Sequence, residues 1–329
     1  MVGRLIVVVG FDGIELVDVA CVTTGFDYAN RMGADPAYQV VFATPLGRPV
    51  RCDSGLELSG QGRIDAMGGP IDTLVVSGGQ GHEAAATNPR FVGQVLRLAG
   101  LSRRVASVCT GATVLAATGL LDNRRATTHW HEAGRLAARY PQVHVDPAPI
   151  FVRDGAVATS GGVTAALDLT LSFIEEDHGA EIARRVAVGM VTYLKRPGSQ
   201  AQVSLFTTTL RSDQVLVQRV IDHVISHLDG DLGVARLAAF AGVSERHLSR
   251  LFVEHVGRTP SRLVRDARLE AASQLLTGTR EPVAVIARRC GFASAESLRQ
   301  AFVAWAGVSP SQFRSSRAGL GGIVGDMDR

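Results

Sequence analysis

One pattern occurs twice within residues 232–314, and it leaves little freedom for what that stretch can become. In the first copy Val234, Leu237 and Ala238 recur at helical spacing and Gly242 breaks the run. Ser244 follows, and Leu248, Leu251 and Phe252 then resume an apolar stripe at i, i+3 and i+4. Glycine tolerates the positive φ of a tight turn, and serine accepts an otherwise unpaired backbone N–H at a helix start. The second copy keeps the order of parts: Val285, Ile286 and Cys290, then Gly291, then Ser294, then Leu298 and Phe302. Between the copies Pro260 opens a helix over 260–278, with Leu263, Ala267, Ala271 and Leu275 on one stripe. The pattern predicts an all-α domain of two helix-turn-helix units joined by one connecting helix.

The faces left outside carry the chemistry. Arg246, Ser249 and Arg250 point outward in the first unit, and Glu296, Arg299 and Gln300 in the second. An apolar inner face with an Arg/Ser outer face suits a helix seated in the major groove of double-stranded DNA, where arginine pairs bidentately with guanine. The connecting helix would span about 28 Å at 1.5 Å per residue. Successive major grooves on one DNA face lie roughly 34 Å apart, so two reading helices could occupy neighbouring grooves. Arg258 and Arg314 are candidates for phosphate contacts. The net charge of the whole chain is only +3, but residues 211–317 hold about 15 basic and 10 acidic side chains. Nearly all the positive charge is arginine, the better fork for phosphate and guanine, and Lys195 is the sole lysine. Residues 241–244, 257–260, 268–272, 286–292 and 307–310 resemble the AraC/XylS family of transcription factors. The resemblance covers the last third of the chain and implies sequence-specific DNA binding, with RNA polymerase as a possible further partner.

The first half reads differently. Apolar, β-branched runs at 4–9, 38–43, 72–77 and 104–108, with possible further strands at 125–128 and 156–159, alternate with helical stretches at 16–31, 88–99 and 163–176. That alternation predicts an α/β domain with a doubly wound, mostly parallel, flavodoxin-like sheet. The domain is placed at 1–195, a Pro- and Gly-broken linker at 196–213, the helical domain at 214–317 and a disordered, Gly-rich tail at 318–329. Four scattered cysteines give no disulfide framework. The first apolar run is too short for a signal segment and no run reaches membrane-span length, so a cytoplasmic protein without membrane contact is expected.

Ser107, Val108, Cys109, Thr110 and Gly111 have the form of a nucleophile elbow, in which a strand turns sharply into a helix and presents the middle side chain. A thiol at a helix N-terminus is expected to have a lowered pKa, and Gly78 and Gly79 after the preceding strand could supply oxyanion-binding N–H groups. These residues, with 13–18, 119–130 and 158–164, resemble the PfpI/ThiJ superfamily, related to class I glutamine amidotransferases. By that resemblance Cys109 is the elbow cysteine, Asp18 its acidic partner and His129 a histidine found in some active members. Thr110 departs from the peptidase-like members, which carry histidine there. Cys-Thr-Gly with a double helix-turn-helix behind it is instead similar to GlxA-type regulators. The resemblance implies a domain that senses a small-molecule effector or dimerises rather than one that turns over substrate. Asp18, Gly78, Gly79, Cys109 and Thr110 are the candidate ligand site, and the chain is expected to act as a homodimer. A cysteine-dependent hydratase or hydrolase and a Cys109 redox sensor stay open as alternatives. No cofactor is expected, and residues 78–81 are not a phosphate loop, since they lack its Lys-Ser/Thr. No metal is expected either: His129 with His131 shows no third ligand, and His223 with His227, at i and i+4 on a helix, reads as a solvated or interface face.

Overall fold

The computed structural model describes residues 3–192, 196, 198, 202 and 214–318. Most of the expected linker and the tail beyond Ala318 lie outside the described residues. The chain divides into two compact units, Met1–Gln202 and Val203–Arg329.

In the first unit β1 (Arg4–Val9), β2 (Tyr38–Thr44), β3 (Gly62–Arg63), β4 (Ile71–Val76), β5 (Ser102–Val108), β6 (Phe151–Asp154) and β7 (Val157–Ser160) form one sheet. Its order is β6-β7-β5-β4-β1-β2-β3, parallel throughout except for the β6–β7 pair. Without its two edge strands this is the flavodoxin-like order expected from the sequence. Side chains alternate across the sheet, so β1 feeds two cores at once. Ile6 and Val8 meet Phe26 and Leu169 on the face covered by α1 (Leu16–Arg31) and α6 (Ala165–Gly189). Val7 and Val9 meet Val95 and Leu115 on the face covered by α3 (Pro89–Ala99) and α4 (Gly111–Ala117). Two short helices complete the layer: α2 (His82–Ala86) and α5 (Ala133–Arg139).

The second unit contains helices only, among the described residues. Helix α7 (Val215–Ser226) precedes the first pair, α8 (Val234–Ala241) and α9 (Glu245–Val256). Helix α10 (Pro260–Gly278) leads to the second pair, α11 (Val283–Arg289) and α12 (Ala295–Ala306), and then to α13 (Pro310–Ala318). The start signals act as read from the sequence: Ser244 Oγ accepts the His247 N–H, and Ser294 forms a reciprocal capping pair with Ser297. Leu237, Leu248, Phe252, Leu263 and Ala267 share one core with α7. Each of the leucine and phenylalanine side chains contributes about 1.5–3 kcal/mol when fully buried.

Candidate functional site

Strand β5 delivers Cys109 to the rim of the sheet, and α4 starts two residues later. The turn is strained: Cys109 holds φ at +105° and is almost fully buried. Several contacts impose that conformation. Its carbonyl accepts the Thr128 hydroxyl at 2.6 Å and the His129 N–H at 3.3 Å. Gly162 stands against the side chain, where an added Cβ would fall 2.1 Å from Cys109 Cβ. Asp18, fully buried on α1, accepts the Val163 N–H at 2.6 Å and the Gly78 N–H at 3.2 Å. It also shares a hydrogen bond with the Cys109 thiol.

This geometry reverses one electrostatic expectation. Burial pushes the Cys109 thiol up, and the facing Asp18 carboxylate adds to that, against the Thr110 N–H that favours the thiolate. The helix N-terminus therefore does not produce a reactive thiolate here. Burial also raises the Asp18 carboxyl to about 7, although two backbone N–H groups favour its charge. The glycine N–H groups are spent as well. Gly78 N–H goes to Asp18, and Gly79 N–H goes to Thr110 Oγ1 at 2.8 Å, whose hydroxyl returns a bond to Gly79 O at 2.9 Å. The expected oxyanion donors are internal fastenings of the turn.

A cavity of about 160 Å³ opens beside Cys109. Gly79, Cys109, Thr110 and His129 line it, as do Glu15, Asp53, His82, His131, Glu132 and Val163. Asp18 and Gly78 stand behind it as supports. About five waters of ~30 Å³ would fill that volume, so it suits a small polar ligand or the head of a larger one. His129 is half-buried, and burial lowers its pKa; the nearby His131 lowers it further. His82 escaped the sequence reading. It is buried at the start of α2, lies 3.1 Å by Nδ1 from Thr113 Oγ1, and is held below its usual pKa chiefly by burial. Its position immediately after the 78–81 turn is the signal that could have revealed it.

Gln202 forms an unexpected anchor. Its amide nitrogen donates to Thr128 O at 2.7 Å and Thr127 Oγ1 at 3.0 Å, and lies within reach of the Pro147 and Pro149 carbonyls. Its amide oxygen accepts the Trp130 N–H at 3.0 Å. The residue that closes the first unit is thus fastened to the loop that holds the Cys109 carbonyl.

In the second unit Arg246 and Arg250 are exposed and Ser249 half-buried on α9, while Glu296, Arg299 and Gln300 are exposed on α12. Arg258 is half-buried and paired with Asp266 at 3.3 Å. Arg314 is half-buried, with Nε and Nη2 enclosed and without a hydrogen-bond partner among the described residues. Neither is presented as an open arm for phosphate. A larger recess of about 540 Å³ lies beside Arg265 and Arg268. The Arg268 guanidinium is already committed to Leu228 O at 3.0 Å and Gly230 O at 2.7 Å. Among the described residues no cluster of three or more metal-ligating side chains forms, and no helix is long and apolar enough to cross a membrane.

Comparison with known proteins covers both units. Residues 4–176 match the DJ-1/PfpI family, and residues 237–316 match a helix-turn-helix domain. The HTH-type transcriptional regulator GlxA of Rhizobium meliloti (strain 1021) is 32% identical over 301 residues, 91% of this chain and 92% of that one. The HTH-type transcriptional regulator CdhR of Pseudomonas aeruginosa is 33% identical over 288 residues, 87% of this chain and 84% of that one. A ThiJ/PfpI family protein from Pseudomonas syringae has the same fold, with a TM-score of 0.52 and 24% identity over 58% of this chain and 76% of that one.

Proposed function

The chain belongs to the DJ-1/PfpI family, in the form that carries a helix-turn-helix domain behind the α/β fold, and from that premise we propose what each part does. The protein is a sequence-specific DNA-binding transcriptional regulator, and its α/β unit takes a small-molecule effector. The observation that carries the reading is the outward ridge of α9. There Arg246 and Arg250 stand exposed beside Ser249 on the helix that follows the Gly242 turn. Arg246, Ser249 and Arg250 read bases in the first unit. Glu296, Arg299 and Gln300 serve the second. Paired half-sites call for a homodimer, and control of transcription calls for RNA polymerase as a further partner. The working compartment is the cytoplasm.

The effector binds in the Cys109 cavity, framed by Gly79, Thr110 and His129 and supported by Asp18 and Gly78. Binding rather than turnover is favoured by the protonated thiol and by glycine N–H groups already in use.

The test is salt-titrated binding of the full chain to its own upstream region and to random duplex of equal length. Tight, steeply salt-dependent binding to the upstream region alone is the expected result. Arg250→Ala should then cost about 1–3 kcal/mol and relax one base position. Equal weak binding to both duplexes, repeated on sites selected from the whole genome, would overturn the reading.

A further inference from the structure

The two helices assigned to base reading share one geometry but not one electrostatic character. Each presents an outward ridge at i, i+3, i+4 and i+7: Arg246, Ser249, Arg250 and Val253 on α9, and Glu296, Arg299, Gln300 and Val303 on α12. On α9 the polar contact beside the ridge is to an imidazole: Arg250 Nη2 lies 3.1 Å from His247 Nδ1. Among the described residues no carboxylate pairs with Arg246 or Arg250. On α12 the ridge is closed upon itself. Glu296 accepts Arg299 through both carboxylate oxygens at 2.7 Å each, and its Oε1 also accepts the Gln300 amide at 3.0 Å. Among the described residues the first ridge therefore offers DNA two cations with no carboxylate on them, and the second offers none.

We infer that Glu296 is a positioning and specificity-determining residue that holds Arg299 and Gln300 ready for base edges while cancelling the pull of phosphate on the second unit. This rests on the DNA-reading function proposed above. A phosphate approaching Arg299 must displace a carboxylate that already holds the fork bidentately, so it gains little. A base edge can instead be read by the free edges of a pair whose orientation is already set. The division of labour follows: α9 supplies sequence-independent affinity together with readout, and α12 supplies readout with little such affinity. This arrangement limits binding to random DNA, the competitor present in greatest excess.

The test uses the full chain and a site recovered with the wild-type protein from a random-sequence duplex library. Affinities are measured against salt for that site, for the same site with its second half scrambled, and for a random duplex. In E296Q the random duplex should bind about tenfold tighter, and the log–log salt slope should steepen by about 0.9, one added phosphate contact. Discrimination between the intact and half-scrambled sites should fall about tenfold. E296D keeps the charge but is too short to hold both partners, so it should lose discrimination while keeping the wild-type slope. Two results would overturn the proposal: E296Q weakening the intact site at unchanged slope, which makes Glu296 itself a base contact, or no change in slope and discrimination. If the wild-type selection recovers no preferred sequence, the DNA-reading function itself fails before any variant is made.

Discussion

Asp18 gives the first unit a pH signature that its sequence position alone could not announce. Its carboxyl titrates near 7 in the folded chain because burial disfavours the charge, against 3.8 for an unburied aspartate. Between those values the unfolded chain has released the proton and the folded chain keeps it. The contribution of this group therefore falls as pH rises from about 4 to about 7 and is level above that, a total of roughly 4 kcal/mol. Asp18→Asn removes the titration. The stability difference between wild type and variant, from urea unfolding at each pH, should shift across that window and stay flat outside it. Cys109 follows from the same contact. At pH 8 its thiol should alkylate at least about tenfold slower than free cysteine, and Asp18→Asn should speed it, as read by peptide mass spectrometry. A fast Cys109 in the wild type would reopen the redox and hydratase readings. The Cys-Thr-Gly motif and Asp18 were legible in the sequence because both belong to short, recognisable stretches. The raised thiol was not, because its causes are burial under the fold and, after that, a carboxylate carried by α1, far along the chain.

Among the elements, long periodic segments were readable and short ones were not. Helices α1, α3, α9, α10 and α12 lie where apolar spacing and capping residues put them. Helices α2 and α5 are only 5 and 7 residues long, too short to display a period. Helix α6 runs on to Gly189, past the expected end at 176, across a break at Gly179 where φ is +85°. The helix-turn-helix glycines show how similar signals hide different structural demands. Gly242 and Gly291 occupy equivalent turns, with φ at +71° and +72°. An added Cβ at Gly242 meets nothing within 4 Å, whereas at Gly291 it would lie 2.1 Å from Leu228 O and 2.6 Å from Arg268 Cζ. Gly242→Ala therefore carries only the backbone cost of a left-handed residue, about 1 kcal/mol. Gly291→Ala must also disturb the Arg268 clasp on Leu228 and Gly230, and should cost about 3 kcal/mol or more. Urea midpoints of the two variants test the ranking, and equal losses would mean that the second turn has room to relax.

At the scale of the whole molecule, the question is how an occupied cavity in one unit informs the other. The sequence revealed two domains because their hydrophobic periods differ, and its Pro-Gly stretch marked the break between them. It could not show that this stretch begins by holding on to the first unit. Arg196 grips Asp168 with its backbone N–H at 2.7 Å and its side-chain Nε at 2.8 Å, and Gln202 fastens to the 127–130 and 147–149 loops. Composition identifies a flexible connector but not which of its polar side chains will find acceptors. Coupling requires an element with two arrangements that the effector and DNA favour differently. The Gln202 anchor is a candidate for that element, because it holds Thr128, whose hydroxyl holds the Cys109 carbonyl at the cavity wall. Gln202→Ala leaves those loop carbonyls without their shared donor. The Trp130 amide, which loses its Gln202 Oε1 acceptor, should exchange about tenfold faster, equivalent to about 1.4 kcal/mol of lost local stability, while exchange in α9 and α12 stays unchanged. If the anchor transmits, the same variant should bind its selected DNA site with the effector's influence reduced and the effector-free affinity intact. Faster loop exchange with a full effector response would leave Gln202 as a fastening of the first unit and move the coupling elsewhere.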